Sequence, residues 1–278
     1  MNLIKSYFFV PANKPRYLDK SLELSGIDVR ILDFEDSVSS SNIKNALKTV
    51  QKSHLKATDW VRIPVIDQFQ EIASSLFDLG LTRVVIPKVT DKEHFERVMR
   101  LLTELNRNVE VIILVENALT YLQLEDILKE WNQYISGVGL GSHDFSAATR
   151  IRHNTKELFP LRLQISLLAN AYGITPIDIA SMNISDEMSY KTEIKSAYDL
   201  GYRAKFILHP FQLNLLNKYS FFTEEEVKDA AHVLKLFDES EKNEEVVLKF
   251  KGKIYEKPHI ENLKNIKAWG EQYYGPNR

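Results

Sequence analysis

Two carboxylates stand where apolar runs end. Val111-Ile112-Ile113-Leu114-Val115 stops on Glu116, and Gly137-Val138-Gly139-Leu140 leads into His143-Asp144. An unbroken apolar run of strand length has no polar face, as expected of a parallel strand covered on both sides. A carboxylate at the end of such a strand is expensive unless a cation or a hydrogen-bond donor faces it. If the two strands are neighbours, Glu116 and Asp144 can share one hard divalent cation, Mg2+ or Mn2+, and leave its other positions to water and substrate. The alternative is a pair of pocket carboxylates bridged by Lys or water. Arg62 lies within the apolar stretch Trp60-Val61-Arg62-Ile63-Pro64. There it offers a planar fork to a substrate carboxylate, or it closes an internal salt bridge to Asp33 or Glu35. A cation and a guanidinium together would stabilise the enolate left when a bond beta to a carbonyl is cleaved. A 2-oxo acid would chelate the same cation through its carboxylate and keto oxygens.

The elements that must position these groups repeat. Candidate strands are Ser6–Val10, Val29–Phe34, Trp60–Val65, Arg83–Ile86, Val111–Val115, Gly137–Leu140, Gly173–Ile177 and Lys205–Leu208. Between them lies enough chain for a covering helix each time. Phe95, Val98, Met99, Leu102 and Leu105 share one helical face over Asp91–Leu105, with Thr90 and Glu93 as a capping box. Pro15 suits the first turn of a helix reaching Ser25. Eight such units predict an α/β fold of the (β/α)8 TIM barrel type, whose chemistry sits at the carboxyl ends of its strands. A doubly wound open sheet is the alternative, but no strand is followed by a Gly-rich dinucleotide fingerprint. The strand ends in order carry Asn13-Lys14, Asp33-Phe34-Glu35-Asp36, Arg62, Lys88, Glu116, His143-Asp144, Asp178 and His209. Converging on one mouth, they describe a polar pocket in which Asp33, Glu35, Asp36 and Lys88 join Arg62 against substrate. His209, before a proline, reads more readily as a structural hydrogen-bond partner than as a base.

The barrel is expected over residues 1–210, with residues 211–278 as a C-terminal helical extension or lid of the same structural unit. Thr223-Glu224-Glu225-Glu226 opens a helix with a reciprocal cap, and Phe222 is placed to staple Val227. Asp238–Glu245 reads as a solvated linker, Val246–Phe250 and Ile254–Glu256 as a hairpin around Lys251-Gly252-Lys253, and Pro258–Trp269 as a last helix.

Composition narrows the function. The 278 residues are 44% hydrophobic and 27% charged, with 36 Lys+Arg against 38 Asp+Glu and a formal charge of −2, which gives no footprint for nucleic acid or an anionic membrane. Zero Cys excludes disulfides, thiolate metal sites and a Cys nucleophile, and fits a reducing cytoplasm. The opening residues lack a basic segment, apolar core and cleavage site, so no signal peptide is expected.

Taken in order, the motifs resemble the citrate lyase beta-subunit-like group of the HpcH/HpaI aldolase superfamily, which also holds malyl-CoA and citramalyl-CoA lyases. Phe9-Val10-Pro11-Ala12-Asn13-Lys14-Pro15-Arg16 resembles the opening FVPGNRP, and Leu32-Asp33-Phe34-Glu35-Asp36-Ser37-Val38 resembles LDLEDAV. Val61-Arg62 resembles VRVN, Ile86-Pro87-Lys88-Val89 resembles LPKV, and Leu114-Val115-Glu116-Asn117-Ala118 resembles LIETA. Gly141-Ser142-His143-Asp144-Phe145 resembles GAEDL, and Ile207-Leu208-His209-Pro210-Phe211-Gln212 resembles AIHPAQ.

The resemblance implies a Mg2+-dependent carbon–carbon lyase working by aldol or Claisen chemistry on a 3-hydroxy acid or its CoA thioester, assembled as a homotrimer or a dimer of trimers. It implies Glu116 and Asp144 as metal ligands and Arg62 as the holder of the substrate's carboxylate or carbonyl oxygen. Glu256, in Ile254-Tyr255-Glu256-Lys257-Pro258, matches a C-terminal Asp that reaches a neighbouring subunit's site and moves the proton. Asn13, Lys14, Arg16 and Lys205 are the CoA-binding candidates. The chain departs from the pattern at Ala12, Asn117, Thr120-Tyr121, His143 and Glu256. Two other readings follow from those departures: a CoA-independent 2-oxo acid aldolase, and a barrel acting as a binding or regulatory subunit.

Overall fold

A computed structural model describes residues 3–154, 156–241 and 247–275. The chain divides into two compact units, one spanning Ile4–Asn217 and the other formed by the residues before Ile4 together with those from Lys218 onward.

The first unit is a closed barrel of eight parallel strands in sequence order, as the alternation predicts. They are β1 (Lys5–Pro11), β2 (Val29–Asp33), β3 (Trp60–Arg62), β4 (Arg83–Ile86), β5 (Glu110–Val115), β6 (Ile135–Leu140), β7 (Thr175–Asp178) and β8 (Ala204–Ile207). The surrounding helices are α1 (Pro15–Glu23), α2 (Ile43–Gln51), α3 (Phe69–Phe77), α4 (Lys92–Leu105), α5 (Ala118–Leu122), α6 (Leu124–Trp131), α7 (Ser142–Thr149), α8 (Phe159–Ala171), α9 (Glu187–Asp199) and α10 (Pro210–Asn217). Because α10 belongs to this unit, the unit runs on to Asn217.

Local chemistry explains where element ends differ from expectation. β3 stops at Arg62 rather than Val65, since Pro64 has no N–H to donate to a ladder. β7 starts at Thr175 rather than Gly173, because Gly173, at φ +68°, turns the chain out of α8. Asp91 rather than Thr90 caps α4: its carboxylate accepts the His94 N–H at 2.8 Å, and Thr90 donates its hydroxyl to Asp91.

Side chains two apart on a strand share a face, so barrel strands divide strictly between axis and helix layer. Tyr7, Ile31, Trp60, Val85, Ile112, Leu114, Ile177, Ala204 and Phe206 form one buried cluster that fills the interior. Gly139 of β6 belongs to this packing, because a Cβ there would run into the Phe206 ring. One period beyond the interior residues come Asp33 after Ile31, Arg62 after Trp60, and Glu116 after Leu114. The packed barrel therefore aims these three groups at its own mouth.

In the second unit, α11 (Glu224–Glu241), β9 (Leu248–Phe250), β10 (Lys253–Tyr255) and α12 (Lys257–Tyr273) follow one another, and β9 and β10 pair antiparallel. The predicted cap of α11 is present: Thr223 N–H donates to the Glu226 carboxylate at 2.8 Å, and Glu226 N–H donates to the Thr223 hydroxyl at 3.2 Å. The helix continues through Glu241, past the expected linker start at Asp238, because Glu, Lys and Ser do not oppose a helix merely by being polar. Residues 242–245 of that linker and Val246 lie outside the described residues. Ala230, Val233 and Leu263 join α11 to α12. No described helix is long and apolar enough to cross a membrane.

Candidate active site

At the carboxyl ends of the strands opens a cavity of about 510 Å3, lined by Asp33, Asp36, Arg62, Glu116, His143 and Asp144 over a floor that includes Phe9, Leu114 and Phe206. Arg62 is the centre of its ionic structure. The Nε donates to Asp33 at 2.6 Å, while Nη1 lies 2.9 Å from Asp36 and 3.3 Å from Glu35. The guanidinium carbon stands 4.8 Å from the centre of the Phe9 ring. Nη2 has no protein partner among the described residues, so one edge of the fork is held and the other is open.

Asp33 is equally committed. Besides Arg62 it accepts the backbone N–H groups of Glu35 at 3.0 Å and Ser37 at 3.2 Å, so the loop after β2 wraps around its carboxylate. That wrapping places Glu35 and Asp36 beside Arg62. Burial raises the Glu35 pKa against the opposing pull of Lys88 and Arg62. Asp36 is held low: burial pushes its carboxyl up, but Arg62, the Glu35 hydrogen bond and Lys88 outweigh it. Lys88 ion-pairs with Glu35, which raises its own pKa against burial.

Lys88 also acts through its backbone. It adopts the left-handed conformation, φ +53°, uncommon for a residue with a side chain. Its N–H donates to the Glu116 carboxylate at 2.5 Å. From the other side Glu116 packs on Gly141, where a Cβ would overlap the carboxyl group. Burial, seconded by the negative charges of Asp144 and Glu35, lifts the Glu116 pKa to about 7, although the Lys88 N–H and Arg62 oppose it. Asp144 sits in the first turn of α7, exposed to the cavity. Among the described residues neither Glu116 nor Asp144 enters an ion pair.

Asp33, Glu35, Asp36, Glu116 and Asp144 face Arg62 and Lys88, so the mouth carries more negative than positive charge. The two carboxylates without a cationic partner are the adjacent strand-end pair, and one of them is buried. Among the described residues no three His, Cys, Asp or Glu side chains form a metal cage. Glu116 and Asp144 would be the groups to hold a divalent cation, and a site with few protein oxygens suits Mg2+, which keeps several waters.

Other sequence candidates lie elsewhere. Asn13 donates its Nδ2 to the Ser37 carbonyl at 3.1 Å, bracing the loop beside Asp33, while its Oδ1 is buried without a partner. Lys14 and Arg16 are exposed at the start of α1. Lys205 requires correction. It is wholly buried, donating to Asp178 at 2.8 Å and to the Ile179 carbonyl at 2.7 Å, and cannot reach a solvent-borne phosphate. The reason is strand parity: Ala204 and Phe206 take the interior, which turns Lys205 toward the helices. Asp178, beside interior Ile177, turns outward likewise and accepts from Arg162 of α8 at 2.8 Å, so it too is withdrawn from the mouth. The His209 Nδ1 accepts the Phe211 N–H at 3.1 Å. Glu256 belongs to the second unit, where it caps α12 in reciprocal bonds with His259. Ala12 is fully buried, so its methyl does not project into solvent.

Sequence reasoning passed over two further groups. Phe9 supports Arg62, and its interior parity with Tyr7 was the available signal. His153, after α7, stacks on His143 with ring centres 3.8 Å apart and bonds Ser142 at 3.0 Å; no spacing pattern announced it.

A parallel eight-stranded barrel with an acidic, arginine-centred mouth presents its charged groups at the carboxyl ends of the strands, where barrel enzymes hold their active sites. The chain matches the HpcH/HpaI aldolase/citrate lyase family over residues 5–210 and belongs to it. It is 24% identical to the citrate lyase subunit beta of Leuconostoc mesenteroides subsp. cremoris, over 93% of this chain and 90% of that protein. With a (3S)-malyl-CoA thioesterase of Cereibacter sphaeroides it shares 26% identity over 96% of this chain and 94% of the relative. The fold is similar to that of protein CitE from Mycobacterium tuberculosis, crystallised with magnesium, acetoacetate and coenzyme A: TM-score 0.80, 22% identity, 96% of this chain and 97% of that one.

Proposed function

We propose that this protein is a Mg2+-dependent carbon–carbon lyase that cleaves or forms a bond beta to a carbonyl in a 3-hydroxy acid or its CoA thioester. The observation carrying this reading is the proximity of Glu116 and Asp144, neither in an ion pair among the described residues, beside the open edge of Arg62. When bound, the cation supplies Lewis-acid stabilisation of the oxygen on which enolate charge develops. Glu116, steadied by the Lys88 N–H and Gly141, and Asp144 on α7 hold it. Arg62 donates from Nη2 to the substrate's carboxylate or carbonyl oxygen, while Asp33 and Glu35 keep the guanidinium oriented without moving during the reaction. Asp36 and Lys88 bound the rim, and Phe9, Leu114 and Phe206 exclude water from below. Glu256 is assigned the proton transfer from the motif resemblance, which also makes a homo-oligomer, trimer or hexamer, part of the reading. Lys14, Arg16 and Asn13 remain the groups for a CoA moiety.

The names of the relatives support the substrate class: citrate lyase subunit beta, (3S)-malyl-CoA thioesterase and, at 22% identity, the rat mitochondrial citramalyl-CoA lyase. The test is incubation with Mg2+ and malyl-CoA, citramalyl-CoA, or the free acids, following both the 2-oxo product and free thiol. Appearance of a 2-oxo acid without thiol is the expected result. Thiol release alone would mean thioester hydrolysis, and no Mg2+-dependent product from any substrate would overturn the reading.

A further inference from the structure

The charges of the mouth are not spread evenly around the barrel. Closure of the sheet places β7, β8 and β1 side by side. From this arc the cavity is lined by Phe9, Pro11, Ala180, Met182, Phe206 and Leu208, none of them charged. The carboxylates and the guanidinium come from the other strands: Asp33 and Asp36 from β2 and its loop, Arg62 from β3, Glu116 from the end of β5 and Asp144 from α7. Strand parity makes the arc apolar. Tyr7, Phe9 and Pro11 follow the inward face of β1, and Ala204, Phe206 and Leu208 follow that of β8 and its exit, while Asp178 and Lys205 point to the helices and pair there. The Phe9 and Phe206 rings stand 5.3 Å apart and join the two strands in one wall. Phe9 is also the ring beside the Arg62 guanidinium, so this wall begins where the arginine stands. Met182 and Leu208 continue it and are 64% and 40% exposed. Among the described residues Arg62 is the only Lys or Arg lining the cavity; Lys88 is ion-paired with Glu35, and His143 enters from α7 beside Asp144.

We infer that this arc selects a 2-oxo acid with a single carboxylate and a short alkyl side chain, the alkyl group lying on Phe206, Met182 and Leu208, and that it rejects dicarboxylic acids. This rests on the proposed binding of a 2-oxo acid by Arg62 and the cation site, and names the side chain which that site takes. The first carboxylate uses the open edge of Arg62. A second one, carried to the wall, would give up water without gaining a cationic partner, in a mouth where four carboxylates already face one guanidinium. An alkyl group in the same place removes apolar surface from water, its own and that of Met182 and Leu208.

The experiment is calorimetric titration of the Mg2+-loaded full chain with pyruvate, 4-methyl-2-oxopentanoate and freshly dissolved oxaloacetate. The last two share one branched skeleton, with an isopropyl group in the first where the second has its distal carboxylate. Wild type should bind 4-methyl-2-oxopentanoate about tenfold or more tightly than oxaloacetate. Leu208→Lys and Met182→Lys each set an ammonium on the wall. Each should gain about tenfold for oxaloacetate and lose about tenfold for the alkyl acid, with pyruvate changed by less than about threefold. Met188→Lys adds the same charge at an exposed position of α9 that does not line the cavity, and should keep the wild-type order. Wild type that binds pyruvate but takes oxaloacetate as tightly as the alkyl acid would overturn the apolar arc alone. So would a Met188→Lys protein that shifts the preference as far as Leu208→Lys, since net charge rather than the wall would then decide. Wild type that binds no 2-oxo acid would overturn the functional reading and this inference with it.

Discussion

Removing the charge of Glu116 should make the cation-free protein more stable while abolishing its response to Mg2+. Burial lifts this carboxyl from 4.5 to about 7. The folded state therefore holds its proton more tightly than the unfolded chain, and stability falls as pH rises from the unfolded value through the folded one. One pKa unit corresponds to about 1.4 kcal/mol, so well above pH 7 the ionised group costs the cation-free fold about 3 kcal/mol. Glu116→Gln keeps an oxygen for the Lys88 N–H and the shape against Gly141 but carries no charge. At roughly 2 °C per kcal/mol for a chain of this size, the variant should melt about 6 °C above wild type near pH 8 in EDTA. The gap should shrink to about a quarter near pH 5 and almost to nothing near pH 4, where the unfolded chain is protonated as well. Added Mg2+ should raise the wild-type melting temperature at the higher pH and leave the variant unmoved. Thermal melts across that pH range, with and without metal, check all three. A variant no more stable than wild type near pH 8, or a gap independent of pH, would refute the account of Glu116.

Gly141→Ala should weaken Mg2+ binding by about tenfold or more in calorimetry, because the new methyl overlaps the Glu116 carboxyl, and Glu116 must swing away from Asp144. Arg62→Lys should cost about 10²–10³ in kcat with Mg2+ affinity nearly unchanged, since the ammonium cannot keep Asp33, Glu35 and a substrate oxygen on separate edges. Kinetics set beside metal titration separate the two effects. Lys205→Met should destabilise the fold by about 3–5 kcal/mol, read by denaturant unfolding, because Asp178 is left buried with less compensation. For Asp178, burial would raise the pKa, yet Lys205 and Arg162 hold it below the ordinary carboxylate range. Its contribution is therefore complete above the unfolded value, near pH 4, and is lost as pH falls through the depressed folded one. Asp178→Asn should be less stable than wild type at neutral pH and lose this acid-sensitive step.

The barrel was legible because its strands are short apolar runs at helix-spaced intervals, and neither the order nor the direction of pairing departs from the simplest closure. The convergence of Asp33, Arg62 and Glu116 was legible from strand ends and motifs alike. What escaped was facing. Asp178 and Lys205 also stand on strands near the mouth, and counting strand-end charges treats them like Glu116. Alternation separates them: Ile177, Ala204 and Phe206 are interior, so their neighbours in sequence point to the helices. The signal lies in the two-residue period of the strands, which a charge at a strand end does not by itself carry. His153 was not legible, since its contact with His143 depends on the path of the chain after α7. Glu35 and Asp36 both lie beside Arg62, but their opposite pKa directions depend on distances to Arg62 and Lys88 that no sequence supplies.

The hold on Glu116 has an unusual genetic property. Its donor is the amide of Lys88, present whatever side chain residue 88 carries, so nearly every coding change there leaves that donor in place. Within the limits that its left-handed backbone sets, position 88 can then vary its side chain while the Glu116 carboxylate keeps this anchor. Glycine would ease the left-handed turn, and proline alone would delete the donor while forcing φ to the opposite sign. The mouth thus carries one contact that survives most substitutions, next to a rim ion pair with Glu35 that almost any substitution at the same position removes.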